Sequence, residues 1–302
     1  MPSAEIVVFG SINLDLVFTT ADLPLPGQTR LAEALTLQPG GKGANQAVAA
    51  RQAGATVHMV GAVGQDGLAP LALAMLAETG VGLGALRRWP DVATGCASIG
   101  TDAQGQNQIM VALGANALLT ADDLPRALLR PGNLLLVQME AEPAQVADIM
   151  QRAHAAGLQV ILNLAPAHPL PEPALRCAGI IVVNEDEAAV LSRPLGCAPT
   201  AAALHARLGV TIIRTLGAGG AEAAGAAGVV QVPSPRVRAV DTTAAGDCFV
   251  GTLAAALAGG APLAAALPRA CAAAALACTV PGSQRSLPSR AQVDAFIAGR
   301  PN

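Results

Sequence analysis

Asp247 closes the run Asp241-Thr-Thr-Ala-Ala-Gly-Asp247, and the stretch Cys248 to Leu257 after it carries Val250, Leu253 and Leu257 at helical spacing. A turn of small residues that opens a helix leaves backbone N–H groups without partners. Those donors, with the positive end of the helix dipole, suit an anion. An acid at the mouth of such a cradle is electrostatically awkward unless it works as a base, taking a proton from a hydroxyl that attacks a phosphoryl group. The alternative is an ordinary N-cap, a common role for Asp. Seven residues alone favour the cap.

A second glycine-rich helix start is Gly40-Gly41-Lys42-Gly43-Ala44-Asn45-Gln46. It fits neither the P-loop pattern nor a dinucleotide fingerprint. Its glycines would let backbone approach a small polar ligand, with Lys42 and Asn45 adding side-chain contacts. Asn13 and Asp15 alternate with Leu14, Leu16 and Phe18, so in a strand they point the same way. Paired polar groups of this kind suit sugar hydroxyls; the alternative is a solvated strand face. Glu140 ends the apolar run Leu134 to Met139, at the carboxyl end of a strand where open α/β sheets bind ligands. Asn184-Glu185-Asp186-Glu187 follows the run Ile180 to Val183. Asn184 and Glu187 could orient waters around Mg²⁺, or they could cap a helix with acids in its first turn. Thr215-Leu-Gly217-Ala-Gly219-Gly220 is a nucleotide-contacting loop or a plain turn.

The elements that must position these groups alternate along the chain. Ile6 to Phe9 reads as a buried parallel strand, 12–18 and 29–37 as strands, and the glycine-rich start runs into a helix that stops near Gly54. Thr56 to Val60 is a strand, with a helix near Leu68 to Glu78. Ala97 to Gly100 and Gln108 to Leu113 are strands around a turn at Asp102 to Gly105. Strands at 134–139, 159–164, 180–183 and 211–216 alternate with helices at 144–156, 185–192 and 199–208. A β-prone run, Val237 to Val240, leads into the Asp241 turn. This order predicts a single α/β unit over 1–302, a three-layer sandwich with a central, mostly parallel sheet. The strands near 12–38 and 95–114 form a small sheet apart from it.

The chain has 302 residues, a net charge of −3 and only 13% charged residues, with no basic run, so nucleic acid is not an expected partner. Six scattered cysteines form no CxxC pair, which argues against zinc and a disulfide scaffold. The N-terminus lacks a basic region followed by an apolar one, so a cytoplasmic protein is expected. The uncharged stretch Cys248 to Leu267 is interrupted by Gly259-Gly260-Ala261-Pro262 and reads as two helices, not a membrane span.

Taken in order, these stretches resemble the ribokinase family, the PfkB-type carbohydrate kinases. Gly10-Ser-Ile-Asn13-Leu-Asp15 resembles its N-terminal sugar motif, and Gly40 to Ala50 its first signature. Thr94-Gly95, Gly114-Ala-Asn116, Asn163 to Ala167, Asn184 to Glu187 and Asp241 to Asp247 also match. The resemblance implies that Asn13, Asp15, Gly41, Lys42, Asn45 and Glu140 hold a sugar, and that Asp247 is the base for its terminal hydroxyl. It implies an anion hole from the N–H groups of Ala244, Ala245, Gly246 and Asp247. Thr215, Gly217, Gly220 and Cys271 would flank ATP, with Asn184 and Glu187 near Mg²⁺ and phosphate. The small sheet would be a lid through which two copies pair into a homodimer. Leu164 stands where ribokinases often have proline, and Cys271 where the family usually has a more polar residue.

The implied reaction is ATP-dependent phosphorylation of a sugar hydroxymethyl group, D-ribose giving D-ribose 5-phosphate. Rival substrates are deoxyribose, fructose, a keto-deoxy sugar acid and a nucleoside such as adenosine. With four Phe, one Trp and no Tyr, aromatic stacking on a nucleoside base is poorly supplied, and no Arg for a keto acid stands in the sugar motifs. A non-catalytic sugar-binding regulator on the same fold would have no use for Asp247. Asp241 lies too far back to be the base and would repel phosphate unless neutralised. Downstream, Ala277 to Ser286 leaves a helix as an irregular segment whose carbonyls need partners. By resemblance a K⁺ ion sits between these segments. The side chains of Asp241 and Ser286 and the carbonyls of Thr243, Ala277, Val280 and Gly282 would hold it. The alternative is that Asp241 caps its turn and pairs with Arg285.

Overall fold

The run Ile6-Val-Val-Phe9 has no exposed side chain, and a strand buried on both faces must lie inside a sheet that is covered on both sides. The computed structural model, which describes residues 4–299, places it so. The strands are β1 (Ile6–Phe9), β2 (Asn13–Thr19), β3 (Ala34–Gly40), β4 (Val57–Gly64), β5 (Gly82–Trp89), β6 (Gly95–Thr101) and β7 (Asn107–Ala112). Then come β8 (Leu134–Val137), β9 (Gln159–Asn163), β10 (Ile180–Val183), β11 (Thr211–Thr215), β12 (Ala221–Gly225) and β13 (Gly228–Val232). A nine-stranded sheet runs β13-β12-β11-β10-β9-β8-β1-β4-β5, parallel except for β12 and β13. Ile6 and Val8 face one apolar core, and Val7 and Phe9 the other. Burying each such side chain is worth about 1.5–3 kcal/mol.

The helices are α1 (Lys42–Gln52), α2 (Ala69–Ala72), α3 (Ala74–Thr79), α4 (Pro143–Ala155) and α5 (Glu172–Leu175). They continue as α6 (Glu185–Leu195), α7 (Ala201–Leu208), α8 (Ala245–Ala258), α9 (Leu263–Ala277) and α10 (Arg290–Ala298). Helices α1, α8 and α9 supply the first core, and α4, α6 and α7 the second. The result is the expected three-layer α/β/α sandwich. Helices α1 and α8 come very close: a Cβ on Gly251 would lie 2.6 Å from both the Ala49 Cβ and the Gln46 carbonyl. Only a glycine at that crossing lets the two helix starts face each other.

A separate four-stranded sheet has the order β3-β2-β6-β7. Its root is pinned to the main sheet by Asp66. Thr94 N–H and Oγ donate to the two Asp66 oxygens at 2.7 and 2.8 Å, and Gly64 N–H donates to Thr94 Oγ at 2.9 Å. Burial opposes the charge on Asp66, but the bonds from Thr94, Ala69 and Leu68 outweigh it and hold its carboxyl below the usual range.

Several expected boundaries shift. The strand expected at 29–37 begins at Ala34, because Pro24 to Leu31 stay in an exposed loop. The helix near 68–78 breaks at Leu73 into α2 and α3. The β-prone run Val237–Val240 is not a strand. It is extended chain on the surface, tied down where Val240 and Asp241 N–H both donate to the Cys278 carbonyl. Strands β5, β12 and β13 were not expected. Among the described residues no helix is long and apolar enough to cross a membrane.

Candidate active site

The register of the small sheet decides what faces what. Asn13 and Asp15 lie on one face of β2, opposite Gly40 and Gln38 of β3 and Gly95 and Ala97 of β6. A Cβ at Gly40 would lie 2.2 Å from Asp15 Oδ2, and one at Gly95 would lie 2.3 Å from Asn13 Oδ1. Both glycines are therefore space for the two polar side chains. Asn116 Nδ2 donates to Asn13 Oδ1 at 2.8 Å, which turns the Asn13 amide donors outward.

Gly41 has φ 88°, a value that favours glycine, and it turns the chain from β3 into α1. The first turn of α1 then presents Lys42, Asn45 and Gln46. Glu140 lies three residues past the end of β8. It accepts from Ser11 Oγ at 2.6 Å and from the Lys42 N–H at 3.0 Å. The residues expected on the sugar side, from three distant stretches, thus meet.

Asp247 is not the N-cap of α8. That position belongs to Ala244, which adopts φ 57° and is the one non-glycine with positive φ among the described residues. A left-handed alanine costs about 1–2 kcal/mol, and here it turns the chain so that α8 starts over the cleft. Asp247 sits in the first helical turn, buried, and both its oxygens accept side-chain amides. Asn45 Nδ2 reaches Oδ2 at 2.9 Å and Gln46 Nε2 reaches Oδ1 at 2.8 Å. Of the four N–H groups expected to hold an anion, that of Ala245 is engaged by the Thr242 carbonyl at 3.2 Å. Those of Ala244, Gly246 and Asp247 have no backbone acceptor among the described residues. A Cβ on Gly246 would meet nothing within 4 Å, so this point of the turn is open.

Two clefts meet above that turn. The larger, about 490 Å³, is lined by Thr215, Gly217, Gly220, Gly246 and Cys271, with Phe249 as its aromatic wall. Burial pushes the Cys271 thiol up to about 11, so it is a neutral wall. The smaller, about 240 Å³, is lined by Lys42, Asn184, Glu187, Gly246 and Asp247. Asn184 and Glu187 form a reciprocal capping box for α6: Asn184 Oδ1 accepts from Glu187 N–H and Glu187 Oε2 from Asn184 N–H, both at 2.8 Å. The capping reading therefore holds, and the pair still faces the cleft.

The charges are strongly coupled. Burial, then Glu140 and Asp247, raise Asp15 to about 6, with Lys42 opposing. Burial raises Asp247, against Lys42, Asn45 and Gln46. Burial pulls Lys42 down, but Asp247, Glu140, Glu187 and Asp15 outweigh it and leave it above an ordinary lysine. One cation thus faces four carboxylates.

Behind the turn, Asp241 accepts from Thr243 N–H and Gly282 N–H, both at 2.8 Å. These bonds outweigh burial and hold its carboxyl below the usual range. Ser286 Oγ donates to the Ser283 carbonyl at 2.8 Å, and the Ala277 carbonyl accepts from Val280 N–H at 3.2 Å. The expected alternative partner, Arg285, is exposed and forms no ion pair with Asp241.

Four residues missed in the sequence complete the site. Gln46 adjoins Asn45 in a recognised motif, and Gln138 interrupts an apolar strand end two residues before Glu140; either position is a signal. Asn163 and Gln284 carried none beyond lying in quoted segments.

The fold, with a polar strand face and two clefts meeting at a helix start, is that of a carbohydrate kinase. Residues 3–290 match the family model described as pfkB family carbohydrate kinase. The chain belongs to that family. It is 36% identical to a ribokinase of Bacillus subtilis over 97% of this chain and 99% of the relative. It is 32% identical to a deoxyribokinase of Salmonella typhi, over 97% and 99%. The structure of an Arabidopsis thaliana ribokinase complexed with ribose and ATP superposes with a TM-score of 0.88 at 30% identity, covering 99% of this chain and all of that one.

Proposed function

We propose that this chain transfers the terminal phosphoryl group of ATP to the hydroxymethyl oxygen of D-ribose, giving D-ribose 5-phosphate and ADP. The observation that carries the reading is Asp247. It is buried at the start of α8, between the polar face of β2 and α1 on one side and the smaller cleft on the other. Asn13, Asp15, Lys42, Asn45 and Glu140 hold the sugar so that its hydroxyl points at Asp247. Asp247 accepts that proton as the sugar oxygen bonds to phosphorus and the bond to the ADP oxygen breaks. The N–H groups of Ala244, Gly246 and Asp247 hold the charge on the transferring phosphoryl, an effect worth about 2.7–4 kcal/mol per donor in comparable sites. Thr215, Gly217, Gly220 and Cys271 flank the nucleotide. The small sheet is a lid that excludes water, which would otherwise spend ATP.

No cluster of three acidic, His or Cys ligands stands among the described residues. Asn184 and Glu187 line the smaller cleft, and Mg²⁺, which keeps its waters and binds largely through phosphates, fits beside such a pair, which would orient its shell. When bound it would neutralise phosphate charge. K⁺ fits behind the turn, where Asp241 is held ionised beside the irregular segment to Ser286. There Asp241, Ser286 and the carbonyls of Thr243, Ala277, Val280 and Gly282 would hold it, and its role would be to fix the turn. Rates equal in K⁺ and in tetramethylammonium salts would exclude it. Use of ATP as donor supports a cytoplasmic reading.

The excess of carboxylates over Lys42 disfavours an acidic sugar. Phe18, the aromatic of β2, lies on the strand face opposite Asn13 and Asp15, so no stack for a nucleoside base is offered there. Deoxyribose is the close rival. A site whose polar groups pair with a hydroxyl penalises an analogue lacking it. A phosphorylation assay across ribose, 2-deoxyribose, fructose and nucleosides tests this. Ribose should give the highest kcat/KM, by about tenfold or more, since one unpaired buried group costs about 1–3 kcal/mol. A higher value for any other acceptor would reassign the substrate.

A further inference from the structure

Gln46 is wholly buried, and every polar atom of its side chain is spoken for. Its Nε2 donates to Asp247 Oδ1 at 2.8 Å and to Asn163 Oδ1 at 2.9 Å, and its Oε1 accepts from Gln138 Nε2 at 2.7 Å. An ionised carboxylate only accepts, so the amide nitrogen must face Asp247 and the amide oxygen must face Gln138. No other orientation satisfies the set. Gln138 is itself wholly buried, just past the end of β8. A rigid strand end thus fixes an amide on α1, and that amide fixes a carboxylate on α8.

We infer that Gln46, anchored by Gln138, is a positioning residue: it sets the rotamer of Asp247 and so the direction from which the base meets the acceptor hydroxyl. The inference rests on the reading of Asp247 as the base. Asn45 holds the second oxygen and is steadied in turn by Gln284 Nε2 at 3.1 Å, but Asn45 also belongs to the sugar side. Gln46 does not: its contacts are Asp247, Asn163 and Gln138. Its loss should therefore strike turnover and leave sugar affinity in place. Each amide also favours the ionised carboxylate against burial, so the acidic limb of activity should move when Gln46 goes. The other groups facing Asp247 are Lys42 on α1, Glu140 after β8, Asp15 on β2, Glu187 on α6 and the Cys248 thiol on α8. All remain in the variant, so the comparison with the unaltered chain isolates Gln46.

The test is a set of steady-state profiles from pH 5 to 9 with ribose, ATP and Mg²⁺. The chains are the unaltered protein, Gln46→Leu, Gln138→Met and Asp247→Asn, with melting curves for each. Gln46→Leu should lower kcat about 10²-fold, the scale of a misplaced catalytic group. Its KM for ribose should stay within about threefold, and its acidic limb should rise by about one pH unit, a tenfold change in the titration. Gln138→Met keeps the contact to Asp247 and frees only its anchor, so it should show the same split more weakly. Normal kcat and an unmoved acidic limb in a folded Gln46→Leu would overturn the inference. So would loss of folding in both variants, which would assign the amides to the core alone. Full activity in Asp247→Asn would instead overturn the underlying reading, so the two failures are distinguishable.

Discussion

Asp15 is a carboxylate that folding penalises. Burial, Glu140 and Asp247 together push it up to about 6 from an ordinary 3.8. A group whose folded pKa is raised contributes stability that is present below the unfolded pKa and lost as pH climbs through the folded one. Titration of Asp15 alone should therefore remove up to about 3 kcal/mol between pH 4 and 7, at 1.36 kcal/mol per unit. Asp15→Asn should melt several degrees higher than the unaltered chain at pH 7.5, with the gap closing at pH 4. A variant that is less stable at pH 7.5 would show that the site does not strain this acid. The pairing of Asn13 with Asp15 was legible because a strand repeats every two residues and the alternation is clean. The company Asp247 keeps was not. From its own segment an N-cap was the simpler reading, and only the crossing of α1 and α8 brings Asn45 and Gln46 to it across some two hundred residues of chain.

At the scale of elements, the site depends on how closely those two helices approach. Gly251 lies one turn beyond Asp247 on α8, against Ala49 and the Gln46 carbonyl. Gly251→Val should force the helices apart. Overpacking of this kind costs about 1–3 kcal/mol, and the amides should withdraw from Asp247. Thermal melts should show the loss of stability, and kinetics a fall in kcat larger than any change in KM for ATP. Unchanged kcat would mean that the crossing does not set the site. Helices and buried strands with strong periodicity were legible, including the break at Gly259-Gly260 that separates α8 from α9. Three strands were not. β5 reads Gly-Leu-Gly-Ala-Leu-Arg-Arg-Trp, without alternation, and β12 reads Ala-Glu-Ala-Ala-Gly, with weak β formers. Pairing with β4 and β11 makes them strands. Conversely, Val237–Val240 has strand-like residues but no neighbour to pair with.

Across the whole molecule, the small sheet has two unlike faces. Asn13 and Asp15 point to the site, while Leu16, Leu35, Leu37 and Met110 share the other face by register. Leu35, Leu37 and Met110 are 54%, 47% and 73% exposed. An apolar patch of this kind suits a partner, and we propose a second copy of the same sheet as that partner. Light scattering should give a dimer for the unaltered chain and a monomer for Leu37→Glu/Met110→Glu, with a raised KM for ribose. A monomeric unaltered chain would remove the dimer and leave the site intact. The family was legible from sequence because its motifs recur in order along nearly the whole chain. The central claim is that this assembly ends in one base. Asp247→Asn keeps the shape and one of the two amide contacts, since its Nδ2 cannot accept from the other donor, and it cannot take a proton. Its kcat should fall at least about 10²–10⁴-fold, as for a lost general base, while calorimetry still shows ribose and ATP binding near the unaltered affinities. A variant that turns over at the unaltered rate would contradict the account.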